Sequence, residues 1–247
     1  SVVGAPGPTG LVGGHVRDAL DVVLPLLAER DDLAAPQALR LLSALHLASD
    51  YAARARALGA LMDKGHLSTA QALKGTQLLS GDAKAALLTR LAKGKLSRAE
   101  ARSVLASALK LRSYAPRQRI LELLIPEERK LMTVKEIIYA GRSINSDAAA
   151  AHLKELAARP SLTLKESRSV LAAALKLRSY AQRNEVASLL MPESRKLMTV
   201  SEVINVGRSL GSDVSYAQLK GLAKRSTLTL DESRTVLAVG LKLRSYS

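Results

Sequence analysis

SVLASALKLRSYA begins at Ser103, SVLAAALKLRSYA at Ser169 and TVLAVGLKLRSYS at Thr235, so the chain returns to the same text every 66 residues. Laid over each other without a gap, residues 96–161 and 162–227 agree at 39 of 66 positions. A more divergent copy precedes them. LSALHLASDYA near Ser43 to Ala52 answers ALKLRSYA, and LSTAQALKGTQLLSGDAKAALLTRLA near Leu67 to Ala92 answers MTVKEIIYAGRSINSDAAAAHLKELA. Such a period marks one supersecondary unit copied along the chain, and a single copy cannot bury its own apolar sides. The boundaries follow: a flexible Gly/Pro-rich lead-in over 1–13, a capping helix over 14–30, repeats over 31–95, 96–161 and 162–227, and the first helix of a further repeat over 228–247.

Helix start signals divide each unit. A Ser or Thr followed three residues later by Glu or Gln satisfies two orphan backbone donors at a helix N-terminus. The pattern occurs at Ser68/Gln71, Ser97/Glu100, Thr133/Glu136, Thr163/Glu166, Thr199/Glu202 and Thr229/Glu232, at spacings of 29, 36, 30, 36 and 30. Each 66-residue unit is therefore two helical hairpins of about 36 and 30 residues, and Pro126 and Pro192 stop the second helix of the longer one. Phe and Trp are absent and aromatic residues make up 2% of the chain. The core must be built from Leu, Val, Ile and Ala, and no stretch alternates with the period of a strand. The expected fold is all-α, a right-handed α-solenoid of stacked hairpins with about 14 helices. On period and capping, residues 30–247 resemble the HEAT, armadillo and tetratricopeptide class of helical repeats. No family's binding residues carry over, because the tetratricopeptide Trp-Leu-Gly-Tyr pattern is missing. MTVSEVINVGRSLGSD is also similar in rhythm to the opening helix of the transcription-activator-like effectors, without their paired Gly loop.

Few residues offer chemistry. The absence of Cys removes disulfides, thiolate metal sites and Cys nucleophiles. Gly4, Gly7 and Gly10 in SVVGAPGPTGLVGGHV resemble the phosphate-binding turn of the atypical short-chain dehydrogenases. That turn needs a preceding strand, and only Ser1 to Val3 precede it, so the competing reading is the flexible lead-in. His15, His46, His66 and His152 have no metal-site spacing, and His152 aligns with Gln218 and Leu87, which marks a helix surface. The recurrent Ser residues sit at caps and turns, and Glu127 and Glu128 keep only Glu193 as a counterpart. No enzyme, cofactor or metal is expected, and no apolar run is long enough to span a membrane.

Charge is the informative remainder. The chain holds 37 Lys plus Arg against 22 Asp plus Glu, a net +15, of which residues 96–247 contribute +12 (26 against 14). Basic positions recur in successive units: Arg102, Arg168 and Arg234; Lys110, Lys176 and Lys242; Arg112, Arg178 and Arg244; Arg142 and Arg208. Equivalent positions of a stacked array line up as stripes, which an acidic partner surface or a phosphate backbone would meet. A competing reading places Lys110, Arg112 and their equivalents in the last turn of a helix, where the macrodipole favours cations. Tyr114, Tyr180 and Tyr246, with Tyr51 in the first copy, recur at a hairpin corner; they either stack on bases or wedge the two helices with the hydroxyl at the rim. The expected function is a non-enzymatic binding scaffold for another protein with an acidic face, and the alternative is a nucleic-acid binder with little sequence reading. The lack of Cys fits the cytoplasm, and equally a bacterial effector secreted unfolded into a host cell.

Overall fold

The computed structural model describes residues 9–242, with side chains from residue 16 onward except at Ser212. Among the described residues the chain forms fourteen α-helices and no strand. They fall into two units, residues 1–132 and 133–247. The first holds α1 (Thr9–Ala28), α2 (Ala35–Ala44), α3 (Tyr51–Asp63), α4 (Thr69–Thr76), α5 (Gly81–Lys93), α6 (Arg98–Ala108) and α7 (Tyr114–Leu124). The second holds α8 (Val134–Arg142), α9 (Ser146–Ala158), α10 (Leu164–Ala174), α11 (Tyr180–Leu190), α12 (Val200–Leu210), α13 (Ser212–Ala223) and α14 (Leu230–Gly240). One boundary differs from expectation: α1 starts at Thr9, so Gly10 and Gly13 are helical rather than part of a lead-in. Glycine lowers helix preference by about 1 kcal/mol without forbidding it. Residues 1–8 lie outside the described residues.

In the first unit α1, α3, α5 and α7 pack on one another in that order, while α4 packs on α5 and α6. In the second, α8 pairs with α9 and α12 with α13, and α10 contacts α8, α9 and α11. The interiors are aliphatic: Leu58, Leu61, Leu88, Leu121 and Leu124 are fully buried in one unit, and Ile137, Leu156, Leu190, Leu210 and Leu222 in the other. Small residues let helices approach closely. A Cβ built on Gly141 would lie 3.3 Å from the Ala149 Cα, and one on Gly207 would lie 2.4 Å from Gln218 Oε1 and 3.2 Å from the Ser215 Cα.

All six Ser/Thr-to-Glu/Gln boxes form, at the starts of α4, α6, α8, α10, α12 and α14. In α12, for example, the Thr199 N–H donates to Glu202 Oε2 at 2.8 Å while the Glu202 N–H donates to Thr199 Oγ1 at 3.3 Å. Backbone and hydroxyl donors hold Glu100 and Glu232 below the ordinary carboxylate value. At Glu202 partial burial pulls the other way, and the bonds from Thr199 and Arg168 outweigh it. Because these folded-state values are depressed, the stabilisation is complete above the unfolded value of 4.5 and is lost as pH falls through the folded values. Thermal melts should therefore hold level from neutrality to about pH 5.5 and drop below about pH 4.5, and a melt insensitive to acid would contradict the boxes.

After α7 and α11 the chain makes a single tight turn, Glu127–Arg129 and Glu193–Arg195, closed by a left-handed Lys130 (φ 49°) and Lys196 (φ 51°). These turns aim two arginines at helix ends. Arg129 donates to the carbonyls of Ala92 and Gly94 at the end of α5 and of Leu123 in α7. Arg195 does the same to Ala157 and Arg159 at the end of α9 and to Leu189 in α11. The last carbonyls of a helix lack internal partners, and here one guanidinium serves two helices at once.

Candidate cationic corners

The turn from α6 to α7 is built around one buried leucine. The Leu109 N–H still donates to the Leu105 carbonyl, after which the Leu111 N–H bonds the Ala108 carbonyl at 2.9 Å and the Leu111 side chain turns inward. Lys110 and Arg112, on either side of that plug, are both exposed. Leu177 repeats the arrangement between Lys176 and Arg178, with its N–H bonded to the Ala174 carbonyl at 2.9 Å. These four cations therefore stand beyond the helices, which end at Ala108 and Ala174, and not in their last turns as the helix-end reading has it.

The second helix braces each corner. Arg117 reaches back to donate to the Leu111 carbonyl, with its guanidinium 5.4 Å from the Tyr114 ring. Arg183 lies 5.9 Å from the Tyr180 ring. In the first copy Arg54 donates to the Ala48 carbonyl at 2.9 Å and lies 4.9 Å from the Tyr51 ring. There, however, Leu47 and Ser49 stand where the later corners carry Lys and Arg. Ser49 donates to Asp21 at 2.5 Å, and so does the Asp50 N–H at 3.0 Å. The same corner is thus assembled without its cations. Packing and bracing do not require Lys110, Arg112, Lys176 or Arg178.

The remaining basic positions differ in their surroundings. Arg168 sits near the start of α10 and is bonded through Nε to Glu202 of α12 at 2.6 Å. Arg234 faces Asp231 one turn earlier at 3.5 Å, and Arg102 is exposed on α6. Arg142 and Arg208 do occupy the last turns of α8 and α12, as the helix-end reading expects. Each short corner also carries a carboxylate, Asp147 in the first turn of α9 and Asp213 in that of α13. A long corner therefore presents two cations, whereas a short one presents a cation and an acid. Lys242 is exposed after α14, and Arg244 and Tyr246 lie outside the described residues.

Tyr51, Tyr114 and Tyr180 are 57%, 57% and 45% exposed, each with an arginine of its own helix against the ring, and the Tyr180 hydroxyl also lies beside Gly211 at the α12–α13 turn. His152, expected on a helix surface, is buried, with its ring beside Gly141 and Nδ1 3.8 Å from Glu155. Among the described residues no cluster of three or more His, Asp or Glu could hold a metal, and no helix is long and apolar enough to cross a membrane. Gly10 is the second residue of α1, and Gly4 and Gly7 of the proposed phosphate turn lie outside the described residues. No family model matches the chain, and no curated protein or solved structure is significantly similar to it.

Proposed function

We propose that the chain is a non-enzymatic helical-repeat scaffold, a right-handed α-solenoid of 66-residue units, that holds another protein by an acidic surface or segment. The observation that carries this reading is the difference between copies. The Tyr–Arg brace and its backbone acceptor are kept where the cations are replaced by Leu47 and Ser49, so Lys110, Arg112, Lys176 and Arg178 are additional to the fold. Exposed cations with no structural task steer association with an acidic partner from a distance and select for its carboxylates. Alternate helix contacts within each unit support the stacked architecture.

A second reading, binding of a nucleic-acid backbone, draws on the net charge of +15. Asp147 and Asp213 weigh against it, since a continuous phosphate chain following the corners would run over both carboxylates. The test is a salt series with three fluorescent probes: poly-glutamate, mixed-sequence duplex DNA and single-stranded DNA. Poly-glutamate should bind at low salt and lose at least tenfold in affinity in the variant Lys110→Gln, Arg112→Ser, Lys176→Gln, Arg178→Ser. Tighter binding of either DNA, lost in the same variant, would transfer the function to the second reading. Equal binding by the variant would remove the corners from the function altogether.

A further inference from the structure

We infer that each long corner is a separate site for one short acidic motif with an apolar side chain beside its carboxylates, so that the chain is multivalent for a single motif. The inference rests on the acidic-partner reading above and names what that partner must carry. In α10–α11 the groups that would touch the ligand come from one eight-residue stretch: Lys176, Arg178, Tyr180 and Arg183, which lies over the Tyr180 ring. The stretch Lys110, Arg112, Tyr114 and Arg117 repeats it. Neighbouring elements border the α10–α11 corner: Gln182 donates to Asp147 Oδ1 at 3.3 Å, and the Tyr180 hydroxyl lies beside Gly211.

The groups prescribe the ligand. Arg112 and Arg178 each present a planar fork that takes a carboxylate through two parallel bonds, and the neighbouring Lys adds a point charge for a second carboxylate. The buried Leu111 and Leu177 plugs keep the two cations apart, so the carboxylates belong to different residues of the ligand. Arg117 and Arg183 each cover one side of a tyrosine ring, and the exposed remainder is an apolar platform at the foot of the cations. A Leu or aromatic side chain adjacent to two acids meets all three groups. Repetition is interrupted rather than continuous, because the short corners, with Arg142 beside Asp147 in sequence order and Arg208 beside Asp213, are electrically balanced.

The first copy provides an internal blank. It has the platform and the brace in Tyr51 and Arg54, but Leu47, Ser49 and Asp50 in place of Lys, Arg and Ser, and Asp21 close by. The experiment is a nuclear magnetic resonance titration of the full chain at low salt with a capped peptide, Gly-Glu-Glu-Trp-Glu-Glu-Gly. Amide shifts should develop around 110–117 and around 176–183 with equal single-site affinities, and none around 47–54. Lys176→Gln with Arg178→Ser should erase only the second set, and Lys110→Gln with Arg112→Ser only the first. Transplanting the corner by Asp21→Asn, Leu47→Lys, Ser49→Arg and Asp50→Ser should create a third set at 47–54. Loss of both sets from either pair of substitutions would show one composite site and overturn the inference while leaving the acidic-partner reading standing. Retention of shifts at a corner stripped of its cations would also overturn it. Absence of any shift in the parent chain would instead overturn the partner reading itself.

Discussion

Arg195→Ala is expected to lower the unfolding free energy by about 3 kcal/mol, the size of three carbonyl bonds to a charged donor discounted for partial exposure. The guanidinium is shared by the ends of α9 and α11, donating to the carbonyls of Ala157, Arg159 and Leu189. Removing it takes away those three bonds and unlinks the tight turn at Glu193–Arg195 from the preceding hairpin. Arg195→Lys should not restore the loss, because an ammonium cannot fork across two helix ends as a planar guanidinium does. Chemical denaturation of the two variants beside Arg208→Ala, whose side chain ends in solvent, checks the prediction. A loss below 1 kcal/mol for Arg195→Ala would mean that water replaces the clamp.

Gly207→Val should cost a similar amount, about 3 kcal/mol, for a different reason. The α12 and α13 backbones approach so closely that even a methyl at 207 would sit 2.4 Å from Gln218 Oε1 and 3.2 Å from the Ser215 Cα. The amide of Gln218 can swing away, but the Ser215 backbone cannot without separating the helices. A β-branched side chain adds two further methyls against that wall and loses rotamer freedom besides. Gly207→Ala, with one methyl, should fall about halfway, so the pair of variants gives a graded series. Equal stability of all three would show that the helices part easily and that the glycine answers no packing demand.

Much of the helix map was legible because helix starts are written locally. Capping boxes need only a hydroxyl, a spacing of three and a carboxylate or amide, and all six formed where the sequence placed them. What the sequence hid was long-range. Arg129 and Arg195 read as ordinary charges of PEERK and PESRK, yet their acceptors lie 35 to 38 residues back. Gly141 and Gly207 carry no local signal of their role, which lies in the backbone that faces them. For both, the available signal was recurrence at the same place in two copies, a clue that says a residue matters without saying to what. The cationic corners show the converse error. Their charge was conspicuous, but the helix-end reading of Lys110 and Arg112 carried α6 too far, since the helix stops at Ala108. Arg168 was equally conspicuous and is bound by its own neighbour, Glu202.

The account stands on the corner cations being superfluous to folding. Thermal unfolding of Lys110→Gln, Arg112→Ser, Lys176→Gln, Arg178→Ser against the parent chain measures this directly. Four helix-end cations contributing about 0.5 kcal/mol each would take roughly 6 °C with them. If instead the cations are held for a partner, the midpoint should move by less than about 2 °C while poly-glutamate binding disappears. A fall of roughly 6 °C or more, with binding untouched, would contradict the account.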